Sequence, residues 1–329
     1  MKVLVTGASG FVGSAVVRRL LSDGFEVRAM VRKRSPRANL DGLDVDVVEA
    51  DLTDRRSLDK AAKGCRGVFH VAADYRIWTP DPDAMFAANV EGTKNIMWAA
   101  VNAGAERIVH TSSVATLGTL PNGMPADEET LVEFVDMIGP YKKSKYLAED
   151  AVRRLIAEEG MPVVTVNPST PIGPRDIRPT PTGRLIVEAA AGHMPAFVDT
   201  GLNIVHVDDV AAGHLLAFER GAFGERYILG GEDMTLGQIL SEIAAIVGRR
   251  PPRLRLPHGL VMPIAYAVEA WARLSGREDE PFVTVDGLRM SRKMMYFSSA
   301  KAMDSIGYKP RPARQALRDA VAWFRDNGY

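Results

Sequence analysis

The sequence predicts an α/β protein built on a doubly wound parallel sheet, with a smaller C-terminal α/β lobe. Three observations carry this. The apolar strand Lys2-Val3-Leu4-Val5 runs directly into a glycine-punctuated turn, Thr6-Gly7-Ala8-Ser9-Gly10-Phe11-Val12-Gly13, and then into a helical pattern through Leu21. Short apolar runs at Glu26–Val31, Gly67–Ala73, Arg107–His110 and Val163–Val166 alternate with helical periods, as in βαβ units. Tyr141 and Lys145 stand four residues apart, on one face of a helix starting at Tyr141.

Composition bounds the function classes. The 329 residues suffice for one large or two intimate domains. Lys+Arg and Asp+Glu are both 41, so no general polyanion surface follows and a nucleic-acid partner is not expected. Cys65 is the single cysteine, which excludes a disulfide framework, and the six histidines show no ligand-like spacing, so no metal is expected. With no basic and apolar leader before the first strand, the expected compartment is the cytoplasm. The apolar stretch 259–272 is interrupted by Pro263 and Glu269 and is shorter than the ~20 residues of a bilayer span. It reads as an amphipathic packing helix, with a membrane-surface helix or a pocket wall as the other readings.

The elements follow in order. Gly7, Gly10 and Gly13 let backbone N–H groups and a helix N-terminus approach a pyrophosphate, which makes Gly7, Ser9, Gly10, Phe11, Val12 and Gly13 candidate cofactor contacts. The second strand ends at Arg32, followed by Lys33, Arg34 and Arg37, with no acid until Asp41. An acid here would hold the ribose 2′-OH of NAD, whereas an arginine accommodates the 2′-phosphate of NADP, so NADP is the expected cofactor and NAD the alternative. Asp44 to Asp51 alternates like a strand, and Asp51 either caps the helix beginning near Asp54 or has a role at the cofactor. His70, in the fourth strand, reads as a satisfied core histidine. A long helix is expected over Asp83–Ala103. Thr111-Ser112-Ser113 closes the fifth strand at its carboxyl end, where open α/β sheets bind ligands. Asn167 to Asp176 holds three prolines and a glycine, which forbid a regular element.

Beyond it, 183–192 is a helix on the substrate side. Asn203 to Val210 returns to the sheet and starts a helix, Thr235 caps a helix over Leu236–Val247, and Arg314–Arg325 is the last helix. No repeat, low-complexity tract or linker interrupts the chain, so the lobes are intimate. Residues 1–170, joined again by about 203–230, form the dinucleotide-binding part, and 171–202 with 231–329 mainly the substrate lobe. A cation beside a phenol lowers its pKa from roughly 10, which makes Tyr141 a candidate proton donor and acceptor.

The G-x-x-G-x-x-G spacing, taken with Tyr141 and Lys145, resembles the short-chain dehydrogenase/reductase superfamily. The length and the Thr6-to-Gly13 stretch resemble its extended, epimerase/dehydratase branch, which implies a Rossmann-type sheet. Asn89-Val90-Glu91-Gly92-Thr93 and His206-Val207-Asp208-Asp209-Val210 match further patterns of that branch. The resemblance implies that Ser113, with Ser112 as fallback, binds the substrate oxygen beside Tyr141, and that Lys145 binds the nicotinamide ribose and holds the phenol's pKa down. It further implies that Asp51-Leu52 contacts the adenine, that Val71, Ala72 and Ala73 run beside the cofactor, that Pro168 lies along the nicotinamide, and that Asn89 orders its helix and the site's water. Relatives commonly pair through the helices corresponding to Asp83–Ala103 and Tyr141–Glu159, where Trp98 and Leu155 are consistent with a homodimer.

Gly64 to Ala73 and Tyr308-Lys309-Pro310 look closest to dihydroflavonol-reductase-like proteins, and the same features fit the bacterial group called hopanoid-associated sugar epimerases. The likeness covers the whole chain for fold and about the first 210 residues by motif. The expected activity is net NADPH-dependent reduction of a small-molecule ketone or aldehyde, with a lipid- or hopanoid-related substrate among the candidates. Nucleotide-sugar epimerisation or dehydration with retained cofactor is the alternative. A cofactor-binding protein without turnover is a third reading, against which Ser113, Tyr141 and Lys145 stand together.

Overall fold

A computed structural model describes residues 1–275 and 281–329. Its elements, in chain order, are β1 (Lys2–Thr6), α1 (Phe11–Ser22), β2 (Glu26–Val31), β3 (Asp46–Glu49), α2 (Arg55–Ala62), β4 (Gly67–His70), α3 (Pro82–Phe86), α4 (Gly92–Asn102), β5 (Arg107–Thr111), α5 (Gly139–Glu159) and β6 (Val163–Pro168). There follow β7 (Thr170–Ile172), α6 (Pro181–Ala191), β8 (Ala196–Val198), β9 (Gly201–His206), α7 (Val207–Arg220), β10 (Arg226–Leu229), β11 (Glu232–Thr235), α8 (Leu236–Val247) and β12 (Leu254–Leu256). The chain closes with α9 (His258–Leu274), α10 (Val285–Met290), β13 (Met294–Met295), α11 (Ala300–Ile306) and α12 (Ala313–Asp326).

Near-continuous apolar runs such as Val3-Leu4-Val5 suit strands covered on both faces. They build a seven-stranded parallel sheet in the order β10-β6-β5-β4-β1-β2-β3. Valines and alanines of α1 and α7 bury against one face, while Leu58 of α2, Ile96 and Met97 of α4 and Val152 of α5 bury against the other. Each fully buried large side chain contributes about 1.5–3 kcal/mol. Strand order reverses between β1 and β4, so a crevice opens at their carboxyl ends.

The expected helix over 83–103 exists but is not uniform. Between α3 and α4, residues Ala87–Glu91 form a π-helical turn, which turns Asn89 inward and buries it. Trp98 and Leu155 are half-buried and pack against the core cluster on that side of the sheet. Asp54, not Asp51, caps α2, accepting from the backbone of Arg56 and Ser57. Thr235 and Gln238 form a reciprocal capping box at the start of α8.

Two expectations are corrected. The stretch 167–176 is not free of regular structure: Thr170–Ile172 pairs along β9, and β7 tolerates Pro171 because it is a short edge strand paired on one side only. The stretch beginning at Asn203 does not return to the large sheet, because β10 already occupies the edge beside β6, pairing Arg226 with Thr165 through Leu229 with Pro168. Instead β9 centres a second sheet, flanked by β11 and β13 and also paired with β7. The chain returns to the large sheet through α7 and β10. A separate core lies under the second sheet, formed by Ile186 of α6, Ile239 and Ile243 of α8, and Leu317 and Phe324 of α12.

Candidate active site

The glycine turn is a cradle that side chains would fill. Gly7 has φ +64°, and a Cβ there would stand 2.8 Å from Ala72 Cα; one on Gly13 would stand 2.0 Å from the Gly7 carbonyl oxygen. Gly10 is the N-cap of α1 and no side chain caps it, leaving first-turn N–H groups and the positive end of the helix toward the crevice. Phe11 and Val12 half-bury against the core beneath. The Ser9 carbonyl accepts from Asn39 Nδ2 at 3.2 Å, and the same amide donates to the Arg175 carbonyl at 3.0 Å. Arg175 (φ +77°) is the non-glycine residue in left-handed conformation among the described residues, and its guanidinium pairs with Asp208. The 167–176 loop is thereby tied to the cofactor turn.

Thr6, at the end of β1, stitches the cradle to β4. Its Oγ1 accepts from the backbone N–H of both Val71 and Ala72 at 3.1 Å, so its own hydrogen goes to His70 Nδ1, 2.9 Å away. His70 Nε2 therefore carries the ring proton and donates to Thr93 Oγ1 at 2.9 Å, which donates to the Asn89 carbonyl at 2.6 Å. Burial, and secondarily Lys145, push the His70 pKa down to about 3. His70 is a satisfied core histidine.

Arg32 is exposed at the carboxyl end of β2, with Lys33 and Arg34 beside it, while Arg37 pairs with Glu49. Asp51, at the end of β3, accepts from Thr53 N at 2.9 Å and from Thr53 Oγ1 at 2.7 Å; these bonds, and then the charge of Arg32, hold its carboxyl below the usual range. Leu52 is buried, its side chain filling the space over Gly92.

At the carboxyl end of β5 the two serines part company. Ser112 is buried and donates to Glu149. Ser113 Oγ accepts from Ala115 N at 3.1 Å, and its side chain stands close enough to the Tyr141 phenol to favour the phenolate. Lys145, one turn along α5, is buried and donates from Nζ to the Thr111 carbonyl at 2.9 Å. Burial lowers its pKa to about 8, against the opposing charge of Glu149.

The i, i+4 spacing does not lower the Tyr141 pKa in this state. Burial raises it, with the neighbouring Ser113 side chain the opposing influence. Lys145 shares the helix face but is itself desolvated and engaged on the strand end.

Two positioning groups stand behind the site: Asn89, which the resemblance already implied, and Glu149, which was not singled out from the sequence. Glu149 gathers Ser112, Thr116 Oγ1 (2.8 Å), Asn167 Nδ2 (3.0 Å) and Arg226 Nη1 (3.0 Å), fixing the β5–β6 ends against α5. Its sequence signal was a carboxylate four residues beyond Lys145. Asn89 donates to the Asp74 carbonyl and to Ser144 Oγ, both at 2.9 Å, and accepts from Asp74 N at 2.7 Å. Ser144 in turn donates to the Tyr141 carbonyl at 2.8 Å. Among the described residues no group of three or more His, Cys, Asp or Glu is placed to hold a metal.

The glycine cradle at the switch point, the uncapped α1 N-terminus and the strand ends from Arg32 to Pro168 fit an extended dinucleotide. That places the chain in the class of nicotinamide-dependent enzymes built on a Rossmann-type sheet. Residues 3–230 match the model of the NAD dependent epimerase/dehydratase family. The chain belongs to that family and is an NAD(P)-dependent enzyme of the short-chain dehydrogenase/reductase type. It is 46% identical over 329 residues to a protein of Synechocystis sp. provisionally named a dihydroflavonol 4-reductase, with 99% of this chain and 95% of the relative covered. It is 38% identical over 328 residues to sterol demethylase protein B of Methylococcus capsulatus, covering 100% and 99% of the two chains. The crystal structure of gox2253 superposes with a TM-score of 0.89 at 54% identity, covering 99% of this chain and 98% of that one.

Proposed function

We propose that the protein reduces a ketone or aldehyde of apolar, lipid-like kind to the alcohol, using NADPH. The observation that carries this is Ser113 beside the Tyr141 phenol, with Lys145 buried one turn along the same helix. When bound, the nicotinamide supplies a hydride to the carbonyl carbon. Ser113 and Tyr141 hold the carbonyl oxygen, and Tyr141 delivers the proton that completes the alcohol. Lys145 leaves the Thr111 carbonyl for the ribose hydroxyls, and its ammonium then favours the phenolate that remains on Tyr141. Asn89, through Ser144, and Glu149 hold the start of α5 and the strand ends in register.

NADP is supported by the exposed Arg32 with no acid in its place at the end of β2, and by the engagement of Asp51 with Thr53. Net reduction is supported by the reductase named among the relatives, and a lipid-like substrate by the sterol in the name of the Methylococcus protein. Sugar epimerisation, which the family also performs by name, needs the cofactor retained between turnovers. Incubation with panels of apolar ketones and aldehydes and of nucleotide sugars, following absorbance of NADPH and sugar stereochemistry, separates the two. Sugar inversion without net NADPH consumption overturns the reductase reading.

A further inference from the structure

The helix α9 shows two unlike faces. Its inner face, with Ala265 and Ala272 buried, packs on Val285 and Leu288 of α10. Its outer face carries Leu260, Ile264, Ala267, Trp271 and Leu274, which fall within about 80° of arc at ~100° per residue. The large members are 62%, 55%, 67% and 85% exposed for Leu260, Ile264, Trp271 and Leu274 respectively. These side chains face solvent, so they do not wall an internal pocket. Scattered apolar residues on a surface need no explanation, but a stripe of this length on one helix does.

Charge selects the occupant. Residues 249–274 contain five arginines and one glutamate, with four of the arginines gathered ahead of the helix, while Glu278, Asp279 and Glu280 follow its far end in the sequence, in a chain whose formal net charge is zero. Arg250 and Arg253, on the approach to the helix, are exposed and have no carboxylate within ion-pair distance among the described residues. The one glutamate, Glu269, is turned away from the stripe and accepts from Val285 N at 2.6 Å. An anionic bilayer surface satisfies both the stripe and the arginines.

We propose that α9 seats the protein on anionic lipid, lying in the plane of the interface with Trp271 and Ile264 entering the acyl boundary. No helix of the described residues is long and apolar enough to cross a membrane, so the contact is peripheral. The seat is on the substrate side. Asp286 at the start of α10 packs so closely on Gly139 that a Cβ there would stand 2.7 Å from its Oδ2, and Gly139 begins the helix that carries Tyr141. The proposal stands independently of the chemistry at Tyr141.

The full chain is tested by flotation with vesicles of phosphatidylglycerol and phosphatidylcholine in equal parts, against vesicles of phosphatidylcholine alone. The expected result is binding to the anionic vesicles that weakens with salt. Ile264→Glu with Trp271→Glu is expected to weaken it at least ten-fold, and Arg250→Glu with Arg253→Glu to remove the preference for anionic lipid. Both variants are expected to keep the thermal melt and cofactor affinity of the parent, which shows that they fold. Absence of flotation by the parent, or equal flotation by the first variant, overturns the proposal. So does a dimer seen by light scattering that the same double substitution dissolves.

Discussion

At the scale of the residue, the site depends on which hydroxyl or ammonium is free to act. Tyr141→Phe keeps the ring and removes the proton donor, so turnover is expected to fall ~10²–10⁴-fold with cofactor affinity unchanged. Lys145→Met is expected to lose both; steady-state kinetics with calorimetric titration of the cofactor distinguishes the two patterns. The Lys145 pKa of about 8, down from 10.5, gives two pH effects of opposite sign. Its ammonium is lost as pH rises through about 8, so cofactor affinity is expected to decline from pH 7 to 9, and to do so less in Lys145→Met. Between about 8 and 10.5 the folded chain binds fewer protons at this group than the unfolded chain, so its contribution to cofactor-free stability rises with pH over that window and is absent below it. Paired titrations and denaturant melts across pH 7–10 check both signs. Tyr141 shows what spacing leaves out. Four residues place two groups on one face, but burial and the partner each group takes decide the direction of the pKa.

At the scale of the element, the β1–α1 unit is built on close approach. A methyl at position 13 would meet the Gly7 carbonyl at 2.0 Å, backbone against backbone, with no flexible side chain to yield. Gly13→Ala is expected to cost about 1–3 kcal/mol of stability by overpacking, and to lose cofactor binding because the turn must open. A melt and a titration on the same sample measure both. The β1–α1 unit was legible because its strand and its three glycines lie within thirteen positions of sequence, although Ala72 and Asn39 close on it from far along the chain. The membership of β9 in a second sheet was not. Its local pattern of strand then helix is present as expected, but its neighbours β7, β11 and β13 come from three distant stretches. The π-helical turn at Ala87–Glu91 was hidden for the same reason, since Asn89 is held inward by Asp74 and Ser144 and not by its own neighbours.

At the scale of the whole molecule, the proposed choice of cofactor turns on the strand end at Arg32. NADPH is expected to bind more tightly than NADH by about 1–3 kcal/mol, the worth of charge-assisted contacts at the end of β2. Arg32→Asp is expected to erase or invert the preference; equal affinities in the parent, by calorimetry, count against NADP. The doubly wound parallel build of the large sheet and the candidate roles of Ser113, Tyr141 and Lys145 could be read from motifs; the strand order could not. The exposure of α9 could not, because Pro263 and Glu269 rule out a span without saying which apolar side chains find a partner.

The hydrogen-bonded line from Val71 and Ala72 through Thr6, His70 and Thr93 to the Asn89 carbonyl has a fixed polarity. It begins in amides, which only donate, and ends in a carbonyl, which only accepts, so no hydrogen along it can be reversed. It is frozen, in the sense of proton-ordered ice, while His70 stays neutral, which its pKa of about 3 ensures across ordinary pH. A wire that cannot reverse cannot relay a proton. The buried histidine therefore serves as a one-way tie between the glycine turn and the turn that carries Asn89, apart from any proton transfer at Tyr141.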